Sequence, residues 1–212
     1  MRRKNFGPGP FYIGGLIIVL VIVGLVIGNK LVHTANIDGV ITDESEFEDL
    51  LVNNALKYKR KINFKTTVNP ETMNYNPVFT RIYEEDSKVG CEVYAYSFVY
   101  EYDPLSDVNK VEFNIKSPGR IKAFLTGLRV KQIARHINKK CAGDYDKVKA
   151  VHDYLIMLNQ YDWCYGGAFN TLYLRSAACN GYAYSFYAIM KELGIPATCE
   201  YSTDHEWNSV LV

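Results

Sequence analysis

Almost no polar face is left on residues 180–193. In Ser176-Ala-Ala-Cys-Asn-Gly-Tyr-Ala-Tyr-Ser-Phe-Tyr-Ala-Ile-Met-Lys-Glu-Leu193, the side chains of Tyr182, Ala183, Phe186, Tyr187, Ile189, Met190 and Leu193 run round the whole helical circuit. A helix apolar on nearly every side has to be covered on nearly every side, so the chain must build a layered domain around it. Gly194-Ile-Pro196 closes the helix, because glycine just past the last turn and proline soon after are helix-stop chemistry. Cys179 stands at the first turn. Free N–H groups and the positive end of the helix dipole favour a thiolate there, the reactive form of cysteine.

His205 follows 26 residues later in Thr203-Asp-His-Glu-Trp-Asn-Ser-Val-Leu-Val212. Between the two, Ile195-Pro-Ala-Thr-Cys-Glu-Tyr201 reads as a strand, Ser202-Thr-Asp204 as a turn, and a second strand begins at His205. A helix packed on this hairpin brings a thiol toward an imidazole, the minimal apparatus of nucleophilic cysteine catalysis. Trp207 shares the face of His205, whereas Asn208 falls on the opposite face.

Three fragments, Cys179-x-Gly181-Tyr-Ala183, Gly194-Ile-Pro-Ala197 and His205-x-Trp207-Asn208, resemble the transglutaminase-like superfamily in order and spacing. That superfamily shares its core with papain-like cysteine peptidases. Lys147-Val-Lys-Ala-Val-His-Asp-Tyr-Leu155 and Tyr161-Asp162 resemble the run before the nucleophile in bacterial, membrane-anchored members. The resemblance implies an α+β fold, with a papain/transglutaminase-like core over 141–212. It also implies Cys179 as nucleophile, His205 as base and Tyr161 beside the cleft. The chemistry implied is acyl transfer to an amine (cross-linking) or to water (proteolysis or deamidation), without a cofactor. The third catalytic residue it implies is an Asp on the strand after the histidine strand, and Val212 precedes that strand. Asp204 and Asn208 are poor substitutes, the first by its turn position and the second by its face.

Residues 1–32 read as a separate object. Arg2, Arg3 and Lys4 precede a 25-residue stretch without charge, ending at Lys30. Its apolar part suffices for one transmembrane helix over residues 11–32, with the basic tip cytoplasmic and the rest outside. A cleaved signal peptide is the rival reading, but Val32-His-Thr-Ala35 lacks a small residue three before the cut. Without Arg2, Arg3, Lys4 and Lys30, 20 basic residues face 23 acidic ones, so a nucleic-acid partner is not expected.

Residues 33–43 read as a stalk and 44–140 as a small α+β region. Within it, Ser45-x-x-Glu48 suggests a capping box ahead of Phe47, Leu50, Leu51, Ala55 and Tyr58. Ile62, Phe64 and Thr66 alternate as a strand, and Asn69-Pro-Glu71 starts a short helix toward Tyr83. Cys91 to Tyr102 alternates as a strand with Tyr94, Tyr96, Phe98, Tyr100 and Tyr102 on one face, either packed under helices or serving as a ligand platform. Val111, Phe113 and Ile115 give its hairpin partner. A helix continues to Lys140 with Ile121, Phe124, Leu125, Leu128, Ile133 and Ile137 as its apolar side. Asp144 caps the next helix, whose buried stripe is Val148, Val151, Leu155 and Leu158, with His152 beside it as either a second catalytic histidine or, the favoured reading, a partly buried surface residue. Residues 159–178, rich in Gly and aromatics, lead into Cys179 as a cleft wall.

Five cysteines leave at least one thiol free outside the cytoplasm, and Cys91, Cys141, Cys164 and Cys199 allow two disulfides in three ways, or none. Their spacing fits no zinc finger or ribbon. Two functions are therefore expected to compete. One is an extracytoplasmic cysteine acyltransferase or peptidase acting on wall or surface polypeptides. The other is a non-catalytic peptide- or glycan-binding module on the same fold.

Overall fold

The computed structural model describes residues 33–212 apart from Tyr94, Ser117, Pro118 and Thr203. The expected membrane span over residues 11–32 lies outside the described residues. Among the described residues no helix is long and apolar enough to cross a membrane.

The first layer is a four-stranded sheet in the order β1-β2-β4-β3, formed by Thr34–Ile41, Lys61–Thr66, Val108–Lys116 and Ala95–Asp103 respectively. β1 runs parallel to β2, and the other pairs are antiparallel. Residues 34–41 therefore form a strand rather than a stalk. Helix α1 (Glu44–Leu56) begins two residues earlier than the Ser45 box predicts. Asp43 Oδ1 accepts from Glu46 N, while Glu46 Oε2 accepts from Thr42 N. The same x-x-Glu spacing from Asp43 thus satisfies two donors and sets Glu44 and Glu46 at the positive helix end.

No helix starts at Asn69. Its Oδ1 accepts from Glu71 N and its carbonyl from the Thr72 hydroxyl, local bonds that compete with a helix. Helix α2 (Asn76–Glu85) waits for Pro77 in its first turn. A four-residue turn of helix, α3 (Ser87–Gly90), comes next, so β3 starts at Ala95 and not at Cys91. Phe47, Leu51, Ile62, Phe64, Val78, Ile82, Val111 and Phe113 fill the first core.

The second layer is helical. Helix α4 (Arg120–Lys140) and helix α5 (Asp144–Leu158) pack with helix α6 (Cys179–Leu193). Val130, Ile133, Ala134 and Ile137 of α4 share one core with Val151, Leu155, Ala183, Ala188, Ile189 and Met190. Helix α4, on the N-terminal side of the boundary expected after residue 140, thus packs into the same core as α5 and α6. Its inner face also differs from expectation. Ala123, Thr126 and Gly127 point inward, while Ile121, Phe124 and Leu128 are exposed. Small residues win there because the helices approach closely: a Cβ on Gly127 would meet Lys88 Cδ at 3.0 Å. The cap of α5 is Gly143, and Asp144 instead pairs with Lys147 one turn on.

Residues 83–93 join the layers. Cys91 donates its thiol to Tyr184 O and accepts from Ala168 N through its carbonyl. Lys191 Nζ reaches the Glu84 carbonyl at 2.9 Å. The aromatic face of β3 divides between the two expectations. Phe98 is half-buried and stacks on Phe113, whereas Tyr96, Tyr100 and Tyr102 are partly open to solvent on this edge strand, Tyr96 while stacking on Phe113 and Phe79.

Candidate active site

The route into Cys179 is tightly fixed. A two-residue strand, β5 (Gln160–Tyr161), runs parallel to β6 (Ser176–Ala177), and Asp162 N and Ala178 N continue the pairing to Ala177 O and Tyr165 O. A single π-helical turn, Asn170–Leu174, lies between them and ends on Arg175 in the left-handed region. Ala178, extended, then hands the chain to α6 with no side chain capping its first N–H groups. A helix start without a side-chain cap presents backbone donors to whatever lies in front of it.

Gly181 makes that approach geometrically possible. A Cβ there would lie 2.6 Å from Thr171 Oγ1 and 3.1 Å from Ala177 Cβ. Gly181→Ala is expected to cost about 1–3 kcal/mol, the usual penalty of overpacking. It should also displace the first turn of α6, so a urea midpoint would fall and Cys179 alkylation would change together. An unchanged midpoint would mean that the π-helical turn yields freely.

Helix α6 then carries the hairpin β7 (Ala197–Tyr201) and β8 (Glu206–Val210). Asn208 fixes it, donating to Ala183 O of the helix and to Thr198 O, both at 3.1 Å. Asn208 also lines the groove that His205 lines, and it turns its amide toward the helix. β8 begins one residue later than expected, because His205 is held in the turn, with its N–H on Ser202 Oγ and its carbonyl accepting from Ser202 N. Asp204 stays in that turn, accepting from the Ser202 hydroxyl.

The four residues singled out from the sequence, Cys179, His205, Tyr161 and Trp207, line one groove of about 400 Å³. His205 and Trp207 stack at 6.0 Å between centroids, and Tyr161 stacks on Tyr182 at 6.4 Å. Leu155, Ile156, Phe186 and Val210 make the rest of the lining largely apolar. Among the described residues the thiol and the imidazole are not hydrogen-bonded to each other, and no acceptor holds the other nitrogen of His205.

Among the lining residues that the sequence did not assign to the site are His152 and Glu206. His152, weighed in the sequence as a second catalytic histidine against a partly buried surface residue, is exposed and faces the groove from α5, with Nδ1 3.2 Å from Asp153 Oδ1. Its spacing to Leu155 and Ile156 was the available signal, since i, i+3 and i+4 share a helix face. Glu206 turns inward, and burial pushes its carboxyl above the usual range, with the Tyr184 hydroxyl pulling the other way.

The remaining cysteines differ in kind. All five thiols are free. Burial raises Cys91 far above its ordinary value and pushes Cys199 up to about 12, so both are inert core thiols. Cys164 is exposed but outside the groove, and Cys141 borders a separate cavity between α4 and α5. No group of three or more His, Cys, Asp or Glu side chains able to hold a metal occurs among the described residues.

A mixed α+β protein with a cysteine at a helix start facing a histidine across a groove is thus defined. Residues 131–210, from within α4 to the end of β8, match the family model of the transglutaminase-like superfamily. That segment is less than half of the chain and contains the groove residues. No curated protein matches the chain. Among solved structures, a candidate cysteine protease from Cytophaga hutchinsonii aligns at 14% identity and a TM-score of 0.35, over 56% of this chain and 61% of that one. A structure of a TGase aligns at 12% identity and a TM-score of 0.37, over 82% of this chain and 56% of the other. The aligned parts thus span about three-fifths of those chains. At these values the likeness does not define a common architecture.

Proposed function

We propose that this chain carries a cysteine-dependent acyl-transfer centre acting on polypeptide amides, held outside the cytoplasm by an anchor over residues 11–32. The observation that supports it is the convergence of Cys179, at the uncapped start of α6, and His205 on one apolar groove. The match of residues 131–210 to the transglutaminase-like superfamily agrees with it.

In this reading His205 takes the thiol proton and the sulfur attacks the amide carbon. The tetrahedral oxyanion is met by backbone N–H groups at the helix start, including that of Cys179. The C–N bond then breaks, His205 returns its proton to the leaving amine, and a thioester remains on Cys179. An amine or water next attacks the thioester and frees the thiol. The apolar lining suits an extended peptide whose side chains flank the reacting amide, and wall or surface polypeptides fit the proposed location. His152 stands on the α5 wall of the same groove, where an incoming or leaving amine can meet it.

A specific observation favours a second reading, a non-catalytic module that binds peptide or glycan: Tyr96, Tyr100 and Tyr102 of β3 stand partly open to solvent along one face of the strand.

Iodoacetamide labelling of the full chain, mapped by mass spectrometry, separates the two. Cys179 is expected to react, and His205→Ala to slow it, while exposed Cys164 reacts equally in both proteins. Cys91 and Cys199 should label only on unfolding. Identical Cys179 rates in wild type and variant, or an inert Cys179, would remove the catalytic reading and leave the module.

A further inference from the structure

The chain enters the fold at a basic end. His33 O accepts from Arg60 N at 2.7 Å and from Lys61 N at 3.1 Å, and His33 Nδ1 lies 2.7 Å from Tyr58 O. The Arg120 guanidinium sits 5.5 Å from the centre of the Tyr58 ring. Gly119 abuts Arg60, since a Cβ there would lie 2.7 Å from Nη2. The entry point, the run Lys57-Tyr-Lys-Arg-Lys61 and the first turn of α4 are therefore one surface. Lys59 is engaged by Thr34 O and Lys61 by Glu112, while Lys57, Arg120 and Lys122 are exposed, Arg120 over the Tyr58 ring and Lys122 with Nζ 5.0 Å from the centre of the Phe169 ring. Asp86 is close enough to influence Tyr58 and is the opposing carboxylate there.

Apolar side chains project from the same surface. Ile121 is 73% exposed, Phe124 61% and Leu128 43%, at the i, i+3, i+7 spacing of one helix stripe. Helix α4 has seven Lys and Arg and no Asp or Glu. Cations interleaved with large exposed apolar groups are the composition of surfaces that lie in the headgroup region of an anionic bilayer. A protein partner would be served by the apolar stripe alone, whereas the surrounding cations select a negatively charged plane.

We propose that this end of the molecule lies on an anionic membrane, with Ile121 and Phe124 among the headgroups and Lys57, Arg120 and Lys122 on the phosphates. This rests on the reading of residues 11–32 as an anchor. Only five residues separate Ile27, the last of the apolar run, from His33, so the entry point stays within about 20 Å of the membrane. The fold thereby receives a fixed orientation and not merely a tether.

The test uses the full chain in lipid nanodiscs, with amine acylation of individual lysines and readout by mass spectrometry. Lys57 and Lys122 are expected to react several-fold more slowly in discs containing phosphatidylglycerol than in pure phosphatidylcholine. High salt should erase the difference. Lys65 and Lys110, paired at the other end of β2 and β4, are the controls and should not change. The double substitution Ile121→Glu and Phe124→Glu, at exposed positions that do not threaten folding, should restore the phosphatidylcholine rates. Equal rates in both discs would overturn the proposal. Protection that grows with protein concentration in detergent would assign the surface to a second copy and overturn it too. If an alkaline wash strips the chain from the discs, the anchor reading fails and this inference with it. A retained chain with unprotected lysines defeats the inference alone.

Discussion

Cys179→Ala is expected to reduce amide acyl transfer by at least about a thousandfold, because the covalent route is lost and only binding and oxyanion contacts remain. In the proposed mechanism the two act as a unit, so His205→Ala should cost nearly as much, and the double variant should be little worse than either alone. The measurement is single-turnover transfer from a glutamine-containing peptide to a labelled amine, with hydrolysis monitored in parallel by mass spectrometry. Additive losses would mean that the two side chains do not cooperate. A loss confined to Cys179→Ala would point to another base, and His152, on the same groove, would be the first to replace.

The second large effect concerns Glu92, which lies buried between the layers. Its Oε1 accepts from the Thr126 hydroxyl and from Phe169 N, both at 2.6 Å, so it ties α4 to the loop that becomes the cleft wall. Burial pushes its carboxyl up to about 7, although those two hydrogen bonds and Lys122 pull it down. The folded protein therefore holds a proton that the unfolded chain releases near 4.5. Stability is greatest below that value and falls as pH rises from there through about 7, by about 3 kcal/mol from this one group. Glu206, raised by burial as well, acts in the same direction.

Glu92→Gln keeps an acceptor oxygen for both donors and removes the charge. It should leave stability at pH 5 nearly unchanged, raise it at pH 8, and flatten the slope between. Glu92→Leu would instead orphan two buried donors and cost about 1–3 kcal/mol for each at any pH. Urea midpoints across that range read both. A wild-type midpoint independent of pH, with Glu92→Gln superimposable on it, would show that Glu92 titrates as an exposed carboxylate.

Periodic segments were readable along the chain because their cause is local. The closure of α6 at Gly194, the alternation of Ile62 and Phe64, and the β3–β4 hairpin come from side-chain period and turn chemistry. Element starts were less legible where two local patterns compete. Asp43 and Ser45 each offer a cap with a Glu three residues on, and Asn69 prefers bonds to its own loop. The inner side of α4 was misread for a different reason. Which stripe of a helix faces inward depends on how closely its neighbour approaches, and α4 meets α3 and residue 92 through Ala123, Thr126 and Gly127 rather than its larger apolar residues.

The sequence by itself placed a cysteine at the start of a largely apolar helix and a histidine in the turn of the next hairpin, since both positions are set by local rules and short loops. Tertiary structure alone decided which other groups share their groove. His152 enters from α5, where only its helix-face spacing to Leu155 and Ile156 hinted at it, and Glu92 supports the wall from across the layers with no such sign in the chain. The same holds for the basic end, where His33, Tyr58 and Arg120 meet only because parallel pairing of β1 with β2 returns the chain to its entry point before α4 begins.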